Sequence, residues 1–259
     1  MTEFFAKILA PLLETIYKGL RVVMQSDTGV LSAYALAVIV TTIIFKLLLL
    51  PLTLKQMKSM KEMNKIQPEI KKLQERYKDD KEKLNMETMK LYQEHKVNPM
   101  GGCLPLLVQF PIIIGFYRMI QQPANYLFKD GSFVFEEINK SLFWLKDIGF
   151  SAGHVFESGI YQGLTNGLVV FGYAVPLMAL IAAIGTYFQS KTMSPPSAGG
   201  TDQAAQTQKV MTNMMPIMIL VMGMTLPTGL TLYWVIGSVV TIIQNYFIYK
   251  PVRGSKEAK

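Results

Sequence analysis

The feature that most constrains this chain is the way its apolar residues fall into long blocks separated by polar, lysine-rich segments. Half of the 259 residues are hydrophobic and only 17% are charged, a smaller charged fraction than soluble domains usually carry. Blocks of about 17 to 25 apolar residues are the signature of helices that cross a lipid bilayer. The sequence therefore predicts an all-α integral membrane protein.

Five apolar blocks predict five transmembrane helices. Two of them are short, because 17 residues of helix cover about 25 Å whereas the hydrocarbon core of a bilayer is about 30 Å thick. A bundle with such short helices is expected to thin the bilayer locally. The predicted segments are an extracellular-side helix (1–30), spans at 31–53, 104–120, 168–190, 210–226 and 230–249, a cytoplasmic hairpin (54–98), an extracellular loop (121–166), a cytoplasmic linker (191–209) and a basic tail (250–259).

The first predicted helix is amphipathic rather than membrane-spanning. Apolar residues recur four apart and form one stripe, while Glu14, Lys18 and Arg21 lie off it. A helix of this kind either lies in the membrane interface or packs against a protein core. The interfacial position is favoured because the sequence offers no evident soluble core for the helix to cover. The stripe comprises Phe4, Phe5, Ile8, Leu9, Leu12, Leu13, Ile16, Tyr17 and Leu20.

The distribution of basic residues predicts the orientation in the membrane. The segment 54–98 holds twelve Lys and Arg residues and the tail after 249 holds four, whereas the first thirty residues and the loop 121–166 hold three each. Because basic loops stay in the cytoplasm, the hairpin and the C-terminus are expected inside and the N-terminus outside. Five spans agree with this orientation, because an odd number of spans places the two termini on opposite sides of the membrane.

The segment 54–98 is predicted to be a soluble helical hairpin. Its apolar residues step by three or four, Pro68 is expected to kink the first helix, and Lys78-Asp79-Asp80 is the expected turn. The net charge is +4, from twelve basic and eight acidic residues, and most of these charges are expected to form a solvated face. Aromatic residues are not interleaved as in base-stacking proteins, so DNA binding and sequence-specific RNA binding are not expected. A weak contact with anionic lipid or ribosomal RNA stays open.

Lys46 is the most informative single residue because it is charged and lies inside an apolar block. It precedes the predicted cytoplasmic end of the first span by seven residues, a depth of about 10 Å. Thr42 lies one turn before it and Thr53 two turns after, so the three define a polar stripe. A lysine at this depth usually faces protein or water, and the alternative is an anchor whose ammonium reaches the headgroups.

Several classes of function are excluded by what the sequence lacks. The five predicted spans contain no Asp or Glu, and intramembrane carboxylates are what proton- or sodium-coupled transport normally uses. No phosphate-binding glycine loop or nucleophile–base pair is present. Cys103, His95 and His154 are too few and too scattered for zinc. The sequence thus predicts no enzymatic activity, no cofactor and no metal. No cleavable signal peptide is visible, because Glu14 interrupts the first apolar stretch, and a leader before Met1 stays open.

The chain resembles the bacterial YidC insertases, which are related to the mitochondrial Oxa and chloroplast Albino proteins. The stretches that carry the resemblance are LLLLPLTLKQMKSM (47–60), IQPEIKKLQERY (66–77), LYQEHKVNPMGGCLPLLVQFPI (91–112), YFQSKTMSP (187–195) and PTGLTLYWV (227–235). The N-terminus departs from the family pattern, since it has neither the lipid-modified cysteine of related Gram-positive members nor the large periplasmic domain of Gram-negative ones. The short tail also lacks the length of the basic, ribosome-binding tails of some relatives.

The resemblance implies five helices around a polar groove that is open to the cytoplasm and to lipid but closed to the outside. The family's basic groove residue is usually Arg; the matching residue here is Lys46, which keeps the charge but not the five-donor fork. Gln189, Trp234 and Gln109 match groove-facing positions, with Thr42 beside Lys46. The implied role is insertion of nascent membrane proteins into the bacterial plasma membrane, with the ribosome and the main secretion channel as further candidate partners. The alternatives are a small channel or transporter, and a membrane anchor for ribosomes.

Overall fold

A computed structural model gives the architecture of the chain. It describes residues 2–24, 31–97, 104–143, 148, 168–170, 173–175, 177–193 and 203–249. The helices are α1 (Thr2–Val23), α2 (Ala33–Leu48), α3 (Leu50–Arg76), α4 (Lys81–Glu94), α5 (Leu104–Gln121), α6 (Pro123–Tyr126), α7 (Leu177–Met193), α8 (Gln203–Thr225) and α9 (Thr228–Tyr249), with a 3₁₀ turn at Phe135–Glu137. Two short antiparallel strands, β1 (Leu168–Val170) and β2 (Tyr173–Val175), precede α7.

The last helix, α9, is the centre of the bundle and packs against α2, α5 and α7. Small residues let the helices approach closely. A Cβ added to Gly185 of α7 would lie 3.3 Å from Ser238 Cβ of α9, and one added to Gly223 of α8 would lie 2.9 Å from Ala179 Cβ of α7. Close approach at small residues is typical of helix pairs in membranes, where the hydrophobic effect does not drive association.

Helix α1 packs against α2 and α5. The alternative that this helix packs against a protein core is therefore correct for one of its sides. Leu9, Leu13 and Tyr17 are buried in the main core, whereas Phe4 and Ile8 of the same stripe are exposed. The expectation that the chain offers no core for α1 was therefore wrong. An apolar stripe shows only that a face avoids water, and lipid and protein satisfy that requirement equally well.

The first predicted span, 31–53, ends early. Helix α2 stops at Leu48, and the chain bends by 60° into α3, which begins at Leu50. Pro51 lies in the first turn of α3, where its missing N–H costs nothing, but its ring would clash with an uninterrupted helix. Helix α3 then continues through Pro68 to Arg76.

Helices α3 and α4 form the hairpin. Ile66 and Ile70 of α3 pack against Leu91 and Tyr92 of α4 in a small core separate from the main one. Asp80 caps the second helix, because its Oδ1 accepts a hydrogen bond of 3.0 Å from the Lys83 N–H.

The third predicted span, 168–190, and the predicted linker, 191–209, both need correction. Residues 168–170 and 173–175 pair as strands, and α7 begins at Leu177, directly after Pro176. Proline disfavours helical geometry in the residue before it, so a helix start after Pro176 is expected. Helix α8 begins at Gln203, inside the predicted linker, because Gln and Ala favour helix without being apolar enough to mark a span.

Within the described residues, one helix segment is by itself long and apolar enough to cross a membrane, namely Thr228–Phe247 of α9. The bent pair α2–α3 qualifies as a second span when taken together, and Asn213–Thr225 of α8 is a shorter apolar helix. Length and composition of the described helices therefore support fewer spans than the five predicted, and the count of five remains a prediction.

The segment after α6 ties the starts of α2 and α9 to one another. The Ser32 N–H donates to Ser141 O at 3.0 Å, and the Gly229 N–H donates to Ile148 O at 2.7 Å. The Ile148 N–H donates in turn to Lys140 O at 2.9 Å. Because residues 140, 141 and 148 hold both helix starts, α2 and α9 begin at about the same level and run side by side.

A charged cluster fastens α1 to the same loop. Lys18 Nζ donates to Glu14 at 2.7 Å and to Asp130 at 2.6 Å, and the Phe128 N–H donates to the second oxygen of Glu14 at 3.1 Å. The hydrogen bond from Lys18 holds the pKa of Asp130 well below its usual value. Tyr17 packs edge-on against the Phe128 ring, with 5.2 Å between centroids. The loop is therefore bound to the bundle by polar and apolar contacts alike.

Candidate functional site

The Lys46 side chain lies across helix α9. A Cβ placed on Gly237 would be 3.1 Å from Lys46 Cε and 3.6 Å from its Nζ, so the terminal part of the lysine occupies the space that a side chain at 237 would fill. Within the described residues, neither a carboxylate nor any hydrogen-bond acceptor pairs with this ammonium group. The lysine is partly buried between two helices as a cation that lacks a counter-charge there.

The direction of the Lys46 side chain bears on the anchor alternative. Lys46 is residue 14 of α2 and Gly237 is residue 10 of α9, and the two helices start at the same level. At 1.5 Å per residue, Gly237 lies about 6 Å nearer to the helix starts than Lys46 does. The side chain thus runs back along the bundle, away from the end at which α2 stops. An anchor that reached cytoplasmic headgroups would point the opposite way.

Thr42 lies one turn before Lys46 and is buried. Its Oγ1 donates to the Val38 carbonyl at 2.7 Å, so the helix backbone satisfies the hydroxyl proton. Thr53, the third member of the predicted stripe, belongs to α3, where its Oγ1 donates to Leu49 O at 3.0 Å. The bend between α2 and α3 therefore shortens the predicted polar stripe to Thr42 and Lys46.

Gln109 lies at the contact between α5 and α9. Gln109 Nε2 donates a hydrogen bond of 2.6 Å to the Tyr233 hydroxyl. The Tyr233 ring stacks on Phe116 with 5.1 Å between centroids, and Trp234, the next residue of α9, is buried. A polar link between two apolar helices fixes their register, because an unpaired buried amide would be costly.

Gln189 lies on α7 and is partly buried. Its backbone carbonyl accepts a hydrogen bond of 2.7 Å from Thr192 Oγ1. In the part of the chain that the structure describes, the Gln189 side chain has no hydrogen bond to Lys46, Thr42 or Gln109. Among the predicted residues, Lys46 contacts α9 at Gly237, and Gln109 contacts α9 at Tyr233. Trp234 lies on α9 between these two contacts in the sequence.

Sequence reasoning missed the polar face of α9. Ser238, Thr241 and Asn245 are buried and follow Trp234 at helical spacing. Thr241 Oγ1 donates to Gly237 O at 2.8 Å. The signal was available, since small polar residues recur every three or four positions in an otherwise apolar block. We refer to Lys46, Thr42 and this face of α9, which meets α7 at Ser238 and Asn245, as the polar seam.

Comparison with known proteins gives one family match. The family model described as 60Kd inner membrane protein matches residues 24–256, which is most of the chain.

Several curated relatives match this chain over most of its length and over two thirds or more of their own. A membrane protein insertase YidC 2 of Listeria innocua is 39% identical over 86% of this chain and 67% of its own. A membrane protein insertase YidC of Fusobacterium nucleatum is 38% identical, over 84% of this chain and 86% of its own. The membrane protein insertase MisCA of Bacillus subtilis is 37% identical, over 84% and 71% respectively.

One solved structure has a similar fold. It is described as an active YidC insertase with its first transmembrane domain resolved, and it matches with a TM-score of 0.51 and 21% identity. The match covers 93% of this chain but only 46% of that one, so the chain spans about half the length of the solved protein. At this identity the likeness establishes the shared fold alone.

Proposed function

We propose that this chain, which belongs to the 60Kd inner membrane protein family, is a membrane protein insertase. Relatives that are 37% to 39% identical over more than four fifths of the chain carry that name. The observation that carries the mechanism is the Lys46 ammonium, which lies on Gly237 inside the bundle without a carboxylate partner among the described residues. An uncompensated cation in an apolar environment attracts an anionic ligand.

The proposed mechanism needs no covalent chemistry. A short, acidic extracellular tail of a nascent client enters the polar seam from the cytoplasm and is held near Lys46. Thr42 and the polar face of α9 provide hydrogen-bonding groups along the way, so the tail is not stripped of all polar contacts at once. The client's apolar segment then passes into lipid, which is favourable by about 25 cal/mol for each Å² of apolar surface removed from water.

The runner-up, a small channel or transporter, fits the chain less well. A transport path must be reachable from both sides in turn, and coupling to protons or sodium normally uses carboxylates within the spans. The predicted spans hold none. The names of the relatives also favour the insertase.

Reconstitution of the pure chain in liposomes tests the proposed function. A single-span client with a short acidic tail, synthesised outside the vesicles, should become protected from added protease only when the chain is present. The reason is that an unassisted acidic tail must cross about 30 Å of hydrocarbon. Vesicles without protein are the control. The proposal fails if protection equals that of empty vesicles, and the channel gains support if small solutes leak instead.

The orientation is proposed to be N-terminus outside and C-terminus in the cytoplasm. With Cys103 first replaced by serine, single cysteines at Met86 of α4 and at Ser132 of the loop provide exposed probes on the two sides. A membrane-impermeant thiol reagent added to intact cells should label position 132 and leave position 86 unlabelled. Both positions should react after the cells are opened. Labelling of position 86 in intact cells would refute the orientation.

A further inference from the structure

A cavity of about 310 Å³ lies between α1 and the segment that begins with α6. It is open to the surface, and its volume is at the lower end of the range for small-ligand pockets. Helix α1 contributes Lys7 and Glu14 to its wall, and the opposite side contributes Tyr126, Lys129 and Asp130. The proposed insertion mechanism does not use this cavity.

The two carboxylates of the cavity are already held in place. Lys18 Nζ donates to Glu14 at 2.7 Å and to Asp130 at 2.6 Å. The other oxygen of Glu14 accepts from the Phe128 N–H at 3.1 Å, and that of Asp130 accepts from the Ser132 N–H at 3.0 Å. Each carboxylate oxygen can accept a second hydrogen bond, so both groups remain available to a donor that enters the cavity.

The charge of the cavity favours an anion. Glu14, Asp130 and Lys18 carry a net charge of −1, and the further lysines Lys7 and Lys129 change it to +1. Both of these lysines are exposed, and Lys129 has no ion pair among the described residues. An anion with a single charge would therefore neutralise the cavity.

The ring contacts between α1 and α2 show which end of α1 faces the interior of the bilayer. Tyr17 packs edge-on against Tyr34, at the start of α2, with 6.3 Å between centroids. Phe5 packs edge-on against Phe45, near the other end of α2, with 6.5 Å between centroids. Helix α1 therefore runs beside α2 in the opposite direction, and its N-terminal part lies deeper in the bilayer than Tyr17 does.

Exposed apolar residues continue the cavity side of α1 toward this deeper end. Phe4 is 61% exposed and Ile8 is 42% exposed. Phe4 precedes Lys7 by three residues and Ile8 precedes Pro11 by three, which is the spacing of neighbours on one helix face. Lys7 and Pro11 both line the cavity. A charged cavity thus leads directly to an apolar surface, which is the arrangement that an amphiphilic ligand requires.

We infer that the cavity binds the headgroup of an anionic phospholipid, and the proposed orientation places this lipid in the outer leaflet. The ammonium groups of Lys7 and Lys129 hold its phosphodiester, which carries one negative charge. A headgroup with hydroxyl groups, such as glycerol, also donates a hydrogen bond to Glu14. The acyl chains lie against Phe4 and Ile8.

Native mass spectrometry of the purified chain in detergent tests this inference. The probe is an equimolar mixture of phosphatidylglycerol and phosphatidylcholine with the same acyl chains. The unaltered chain should retain phosphatidylglycerol in preference to phosphatidylcholine. In the double variant Lys7→Ala/Lys129→Ala the ratio of the two bound lipids should fall about three- to tenfold, the effect expected of two exposed ion pairs. Lys129→Ala alone should cause part of this fall, and its exposed position means that the fold should survive.

The double variant Lys72→Ala/Lys78→Ala, which removes two exposed lysines of the hairpin, is the matched control and should keep the ratio of the unaltered chain. An equal fall in both double variants would show that general basic charge attracts the lipid, and the inference would be wrong. An unaltered chain without preference for phosphatidylglycerol would contradict it as well. The lipid would be the wrong ligand if soluble glycerol phosphate raised the unfolding temperature as much, because the acyl chains would then contribute nothing. Binding in detergent depends neither on the orientation nor on the insertase function, so failure of either would leave this result unchanged.

Discussion

Lys46→Glu is expected to lower insertion of a client with an acidic tail by at least tenfold relative to the unaltered chain. Two unit charges about 5 Å apart interact by about 3 kcal/mol at an effective dielectric constant of 20, and the substitution turns this attraction into repulsion. Each 1.4 kcal/mol of lost stabilisation corresponds to a factor of ten. The measurement is insertion per folded molecule in liposomes.

The rest of the Lys46 series separates charge from side-chain size. Lys46→Arg should keep most of the activity, because the cation remains. With Lys46→Ala, insertion of the acidic client should lie between the levels of Lys46→Arg and Lys46→Glu. Insertion of a client whose tail is neutralised should change little with any of the three substitutions. Equal losses for both clients would contradict charge attraction and would favour the alternative in which Lys46 only anchors its helix.

Gly237 provides a way to displace the cation without removing it. A valine at 237 would compete with Lys46 Cε for the space that the lysine now occupies, since even a Cβ would lie 3.1 Å from that atom. The flexible lysine can yield, so the fold should survive while the ammonium moves. Gly237→Val should therefore reduce acidic-client insertion toward the level of Lys46→Ala. Gly19→Val is the control, because no atom lies within 4 Å of a Cβ at that position.

The sequence predicted the ends of a helix best where the helix begins and ends together with its apolar block. The predicted spans 104–120 and 230–249 correspond to α5 (Leu104–Gln121) and α9 (Thr228–Tyr249) with shifts of at most two residues. The end of α2 and the start of α7 were missed, because Pro51 and Pro176 act on backbone geometry and leave the hydropathy pattern unchanged. Local chain stiffness, which hydropathy does not measure, decided these boundaries.

The site was predictable only in its local part. Lys46 stands out in the sequence because a charge inside an apolar block is costly wherever the helix packs. Its neighbour Gly237 and the bond between Gln109 and Tyr233, which are 124 residues apart, depend on how helices meet. The hydrogen bond from Asn245 to Thr192 likewise joins two different helices. Such pairings are tertiary facts that no spacing within one segment encodes.

Substitution by alanine is expected to change the thermal stability in opposite directions at Gly115 in α5 and at Gly19 in α1. Alanine favours a helix interior over glycine by about 0.5 to 1 kcal/mol. At Gly19 the added methyl group meets no atom within 4 Å, so Gly19→Ala should raise the thermal stability slightly. At Gly115 the Cβ would lie 2.7 Å from Phe5 Cβ and 3.0 Å from the Ala6 backbone nitrogen.

The contact at Gly115 cannot be relieved by a side-chain rotation, because one of its partners is backbone. Overpacking of this kind costs about 1 to 3 kcal/mol, which exceeds the gain in helix propensity. Gly115→Ala should therefore lower the unfolding temperature of the purified protein in detergent, and Gly115→Val should lower it further by forcing α1 away from α5. A thermal scan of the unaltered chain, Gly19→Ala, Gly115→Ala and Gly115→Val measures the change in unfolding temperature in both directions. If Gly115→Ala stabilises the protein as much as Gly19→Ala does, α1 does not dock on α5, and the core contacts of Leu9, Leu13 and Tyr17 are not formed in the membrane protein.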